Sequence, residues 1–253
     1  MAGRDEIIAF CDELLDADGF ADYGPNGLQV PGRHEVARLA TGVTANRRFL
    51  DLAVEAGADL ALVHHGLFFG DGPSGLSEQL ANRLRVVLGA DMSLAAYHLP
   101  LDAHPEIGNN ALLCAQLGLE PDPRPFGEVK GRPIGVIGVA AEGIDPGELV
   151  RRTSSLLGRE PLVFSSGPDR IRTVGIVTGA GARALEEAAA LGLDALITGE
   201  PAEHAMGDAD EAGVHFIAAG HYATETLGIR RLGDLLAGHF GLDHRFIDVP
   251  NPV

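Results

Sequence analysis

At 253 residues, with 45% hydrophobic and 22% charged residues, the chain is long enough to bury a core and reads as an ordinary globular protein of one large domain or two small ones. Thirty-six acidic against nineteen basic residues leave a formal charge of −17, which argues against a nucleic-acid backbone or an anionic membrane surface as partner. Two cysteines without paired spacing, Cys11 and Cys114, indicate neither a disulfide framework nor a Cys-rich zinc site, and no apolar run reaches the length of a membrane span, so a cytoplasmic protein is expected.

Residues 5 to 16 place Ile7, Ile8, Cys11, Leu14 and Leu15 at helical spacing, with Asp5 as the expected N-cap. The segment Tyr23 to Val30, with a proline and two glycines, reads as irregular. A strand is expected over 37–44, a helix over 48–56, and a strand from Leu60 to Val63 ending in His64 and His65. Pro73 and its glycines predict a loop, followed by a helix over 76–88, a strand over 93–97 and a helix over 110–117. Three prolines in Pro121-Asp122-Pro123-Arg124-Pro125 cannot propagate a helix or hold a central strand, and mark the expected linker.

Beyond it, strands are expected over 134–139, 162–164, 174–178, 195–198, 216–219 and 244–249, alternating with helices over 146–157, 183–191, 203–212 and 227–240. Such alternation predicts an α/β fold. GADLALVHHG from Gly57 also matches GLDALITGE from Gly192, and Ala95-Ala96-Tyr97-His98 with Asp102 matches Ala218-Ala219-Gly220-His221 with Glu225. In both halves a strand ends in histidine and a carboxylate follows four residues later. Two similar α/β lobes related by internal duplication are therefore expected, residues 1–125 and 126–253, with the C-terminal segment able to pack back on the first lobe.

Ligands of open α/β sheets bind beyond the carboxyl ends of the strands, where His64, His65, Asp102, His221 and Glu225 all fall. Neighbouring strand residues point to opposite faces, so the His64-His65 pair serves one metal only if the strand ends there, and otherwise splays onto two. Imidazole with carboxylate suits Zn, Fe, Mn or Ni, and three histidines with two carboxylates suffice for two ions about 3.5–4 Å apart that activate a water. His98, just before Pro100, is read as a pocket residue that orients a ligand more than as a ligand itself. Glu200 stands where His65 stands in the repeat. It is read either as a helix-face partner of His204 or as a capping or surface residue. His104, His215, His239 and His244 lack a convergent carboxylate by spacing and are read as surface or packing residues. No serine nucleophile elbow, phosphate-binding loop or dinucleotide fingerprint occurs, and Gly179-Ala180-Gly181 is too short a signal for a nucleotide site.

PNGLQV (25–30), GVTA (42–45), VHHG (63–66), HLPLDAHPEIGNN (98–110), TGE (198–200), AGHYATE (219–225) and FIDVPNP (246–252) together resemble the Nif-three-like dinuclear metal-centre hexamer family along essentially the whole chain. The resemblance implies a metal site in the cleft between the lobes and assembly into a ring-shaped homohexamer. It implies two divalent ions per subunit, Zn, Fe or Mn, held by His64, His65, Asp102, His221 and Glu225, with Glu225 as the bridge. Tyr222 stands where relatives often carry a second histidine. Family members bear the label of type-two homologues of GTP cyclohydrolase one, which implies a metal-dependent hydrolase of a nucleotide-like small molecule. The alternative is a metal-binding or assembly hexamer without catalysis.

Overall fold

The computed structural model describes residues 1–70 and 75–253, so the loop expected at Pro73 lies outside the described residues. The chain adopts the α/β class, in two compact units: Met1–Leu101 with Gly228–Val249, and Asp102–Leu227 with Pro250–Val253. The first crossing between units thus falls within the short helix Leu99–Ala103, some twenty residues before the proline-rich segment.

The first unit carries a five-stranded sheet in the order Asp243–Phe246, Arg38–Thr44, Leu60–His65, Ser93–Ala96, Gly27–Val30, all parallel except the last. Helices Arg47–Glu55 and Glu78–Gly89 make the crossovers. Asn46 and Ser77 cap them, each side chain accepting a hydrogen bond from the amide three residues on. Phe49, Leu50 and Ala53 from the first crossover helix pack with Ala40, Ala61 and Val63 of the sheet. The three central strands therefore read as continuous apolar runs, as strands covered on both faces do. Two expectations change here. Gly27–Val30 forms an antiparallel edge strand, its pairing displaced between Leu28 and Val30, and this irregularity is what its glycines and proline announced. The cap of helix Arg4–Leu15 is Gly3, whose N–H donates to the Glu6 carboxylate, because Arg4 has taken the Asp5 side chain at 2.8 Å.

The second unit carries a six-stranded sheet in the order Leu162–Phe164, His215–Ala218, Ala195–Thr198, Ile171–Val177, Val136–Ile144, Glu120–Asp122. The strands over 171–177, 195–198 and 215–218 are parallel and follow sequence order, as those over 38–44, 60–65 and 93–96 do in the first unit. Ile171, Val174, Ile176, Ala195, Ile197 and Ile217 form the heart of this unit's core with Leu113 of helix Asn109–Gln116, Leu117 at its C-terminal cap and Leu149 of helix Pro146–Leu157. The first two residues of the expected linker instead belong to the outer strand of this sheet: Pro121 pairs opposite Gly138 at the edge, where a missing N–H costs no ladder bond on the open side. Among the described residues no helix is long and apolar enough to cross a membrane.

Candidate metal centre

In the first unit His64 and His65 are the last residues of strand Leu60–His65, and His98 follows strand Ser93–Ala96 next to it. The three rings converge, with centroids 4.8 Å apart for His64 and His65, 5.0 Å for His64 and His98, and 5.4 Å for His65 and His98. Each offers a nitrogen within 4.8 Å of the others, a separation one ion could span. Their Nδ1 atoms are all engaged. His64 Nδ1 donates to the Tyr97 carbonyl at 2.9 Å, His65 Nδ1 shares a hydrogen bond of 3.1 Å with the Thr44 hydroxyl, and His98 Nδ1 donates to Asp22 at 2.7 Å. A donating Nδ1 places the neutral ring's lone pair on Nε2, the arrangement by which metal-binding histidines are held in one tautomer.

Asp22 is itself held by donors on several sides, the Asn26 amide and the Tyr23 and Leu99 backbone N–H groups besides His98. Burial pushes its carboxyl up, but these hydrogen bonds and the His98 ring outweigh burial and bring it down to about 2. Its side chain is 2% exposed. Tyr97, whose carbonyl accepts from His64 and which precedes His98 in the chain, is fully buried and donates its hydroxyl to Asp12 at 2.6 Å.

In the second unit His221 opens the short helix His221–Thr224 after strand His215–Ala218, and Glu225 caps that helix at its far end. His221 Nε2 lies 3.1 Å from Glu225 Oε2, while its Nδ1 donates to Glu200 from the end of strand Ala195–Thr198. Burial opposes a charge here, yet the paired carboxylates prevail and raise His221 to about 9. A ring with a carboxylate at each nitrogen is favoured in its protonated form, so this pocket favours positive charge. Gly179, at φ +66°, makes room for it: a Cβ there would fall 2.3 Å from Glu225 Oε1 and 3.3 Å from His221 Nε2. Asp102 is buried and accepts from Asn109 Nδ2 at 2.8 Å and from the Thr178 hydroxyl at 3.4 Å. Asn110 ties the same corner by donating to the Asp102 carbonyl and accepting from the Thr178 amide.

This full-length array of strand-end histidines and buried carboxylates coincides with a known family. The sequence profile described as Duf34/NIF3 (NGG1p interacting factor 3) matches residues 2–252. The chain belongs to the Duf34/NIF3 family. A Pseudomonas aeruginosa relative named GTP cyclohydrolase 1 type 2 homolog is 46% identical over 250 residues, covering 98% of this chain and 97% of that one. The solved structure of the protein ybgI, described as of unknown function, superposes with a TM-score of 0.93 at 41% identity over all of both chains. TTHA1606 from Thermus thermophilus gives 0.87 at 33% identity, again over all of both chains.

For this Duf34/NIF3 chain the donor chemistry fits a metal: oriented imidazoles in the first unit, with His64 Nε2 buried and without a hydrogen bond, and in the second the buried Glu225 Oε2, which faces His221 Nε2 where a divalent ion would take the place of the proton. Glu200 is neither a partner of His204 nor a plain surface residue. It holds His221, whereas His204 lies 4.0 Å from Asp208 one turn on. His244 does meet a carboxylate, Asp234, from helix Thr226–Phe240, and also Thr41, a structural clamp inside the first unit. Asp22, Thr44, Glu200 and Asn109 were not singled out as site partners from the sequence. Asp22 and Glu200 lie 76 and 21 residues from the rings they orient, and only Asn109, seven residues after Asp102, was within local reach. Burial pushes both thiols up, Cys114 to about 11, so neither cysteine offers a thiolate near neutral pH.

Proposed function

We propose that His64, His65, Asp102, His221 and Glu225 together hold two divalent ions per subunit, Zn, Fe or Mn, with Glu225 bridging them. We propose further that the centre hydrolyses a nucleotide-like small molecule, with GTP ring opening as the named candidate. The observation that carries the reading is the way each histidine is committed: Nδ1 of His64 to a carbonyl, and His221 to two carboxylates that a metal would share. The name GTP cyclohydrolase 1 type 2 homolog, borne by the Pseudomonas relative, supports the choice of substrate class.

When bound, divalent ions supply Lewis acidity that makes a water nucleophilic near neutral pH. The chain's own residues do the rest. Glu200 keeps His221 facing Glu225, and Asn109 and Thr178 fix the Asp102 carboxylate. His98, on the Asp22 carboxylate and next to both strand-end histidines, is the group placed to accept or return a proton at Nε2. The subunits are proposed to assemble as a homohexamer.

The test couples metal analysis to turnover. Purified wild type, Glu225→Gln and His98→Gln are loaded with Zn, Mn or Fe(II) under anaerobic conditions and screened against nucleoside triphosphates. Loss of metal and turnover in Glu225→Gln, with metal kept but turnover lost in His98→Gln, supports the hydrolase. Metal-replete wild type that turns over nothing in the screen leaves the metal-binding hexamer without catalysis as the function.

A further inference from the structure

Among the described residues two aromatic side chains are strongly exposed, Tyr23 at 48% and Phe69 at 47%, in a chain whose aromatic content is only 5%. Both stand at the same histidine. The Tyr23 ring centroid is 6.1 Å from that of His98, and Phe69 is 5.5 Å from His98 and 6.0 Å from His65. The other large apolar residues exposed in the first unit, Met1, Leu76 and Leu88, are aliphatic.

The pair is built by the backbone. Gly70 N–H donates to the Tyr23 carbonyl at 2.6 Å, and the two segments cross so closely at Gly24 that a Cβ there would fall 2.2 Å from the Phe68 carbonyl oxygen. Gln29 secures the crossing from below, accepting from the Leu67 N–H at 2.8 Å and donating to the Pro25 carbonyl at 2.8 Å. Exposing roughly half of two aromatic side chains forgoes hydrophobic stabilisation that their burial would bring. Here the exposed surface is held next to imidazoles, and aromatic faces stack well on flat heterocycles whatever their substituents.

We infer that Tyr23 and Phe69 form a stacking platform that receives the planar nitrogen heterocycle of the substrate and sets it beside His98 and the strand-end histidines. The platform rests on the metal reading above and adds to it the part of the molecule that is gripped. Recognition through ring faces selects for a base or similar heterocycle and is blind to the sugar. It also suits a chain of charge −17, which offers an anionic ligand little general attraction.

Equilibrium dialysis of the metal-loaded full chain tests this, with GMP, AMP, UMP and FMN as probes and ribose 5-phosphate as the phosphate-matched ligand without a ring. Wild type is expected to hold at least one of the ring-bearing probes about tenfold or more tighter than ribose 5-phosphate. Tyr23→Leu and Phe69→Leu keep apolar bulk but lose the π face. Each should weaken the favoured probe about five- to fiftyfold, leaving ribose 5-phosphate binding, metal content and melting temperature unchanged. No preference for any ring-bearing probe in metal-replete wild type overturns the platform while the metal centre stands. Wild type without metal but with ring preference sinks the metal reading and spares the platform. Variants that bind every probe as wild type does, but sediment at a different size, assign the pair to contact with a second copy and overturn the inference.

Discussion

At the scale of single residues the site depends on small contacts that fix direction. Gly179 is one: its φ of +66° and the 2.3 Å approach of a notional Cβ to Glu225 leave no room for a side chain. Gly179→Ala should lose about 1–2 kcal/mol of stability through the strained backbone and displace the Glu225 carboxylate, so that bound metal falls well below wild type. Metal analysis beside a denaturant melt checks this, and a Gly179→Ala protein with full metal would contradict it. Asp22 is another. Its folded value of about 2 lies below the ordinary 3.8, so its contribution is fully present above about pH 4 and is lost as the pH falls towards 2. With allowance for solvent screening the contribution is about 1–2 kcal/mol. Stability of wild type should therefore drop more steeply over that window than stability of Asp22→Asn, measured by urea unfolding at a series of pH values. Parallel curves would show that the Asp22 and His98 pair contributes nothing.

At the scale of elements, capping and strand ends set the geometry. Asp145 accepts from the Glu148 N–H at 3.0 Å and starts helix Pro146–Leu157, with Pro146 at its first position. Asp145→Ala should cost about 1 kcal/mol, read in a chemical melt, with metal content unaffected because that helix carries no candidate ligand. The helix over 146–157 was legible in the sequence, as were the strands over 162–164 and 195–198. Two of the missed strands share a cause. Gly27–Val30 and Glu120–Asp122 are edge strands containing or flanked by proline and glycine, and local propensity reads such segments as irregular because their pairing partners are distant. The one-turn helix His221–Thr224 escaped for the opposite reason: four residues are too few to show a period.

At the scale of the molecule, each unit holds its own core and its own set of candidate ligands. A ligand that binds only the folded chain stabilises it by mass action, by about 2.7 kcal/mol at a hundredfold excess over Kd. For a chain of this length that is an expected rise of about 5–10 °C in Tm when Zn or Mn replaces EDTA. Glu225→Gln and His64→Ala should lose the rise, and an unchanged wild-type Tm would remove the support for a resident metal. The proposed homohexamer predicts sedimentation near six times 26.4 kDa at micromolar concentration, and a monomer there would count against it.

The α/β class, most of the longer strands and helices and the five residues proposed as ligands could be named from the sequence, because hydrophobic period, strand-end position and histidine followed by carboxylate are local patterns. What only the tertiary structure decided is how those ligands are oriented. Asp22 reaches His98 across 76 residues, Glu200 reaches His221 across 21, and Thr44 meets His65 because two parallel strands lie in register. The exposed pair of Tyr23 and Phe69 likewise became visible only when the chain crossing at Gly24 brought them to one histidine. Hydrogen bonds of this kind depend on distances of about 3 Å between segments far apart in the chain, and one-dimensional spacing carries no record of such distances.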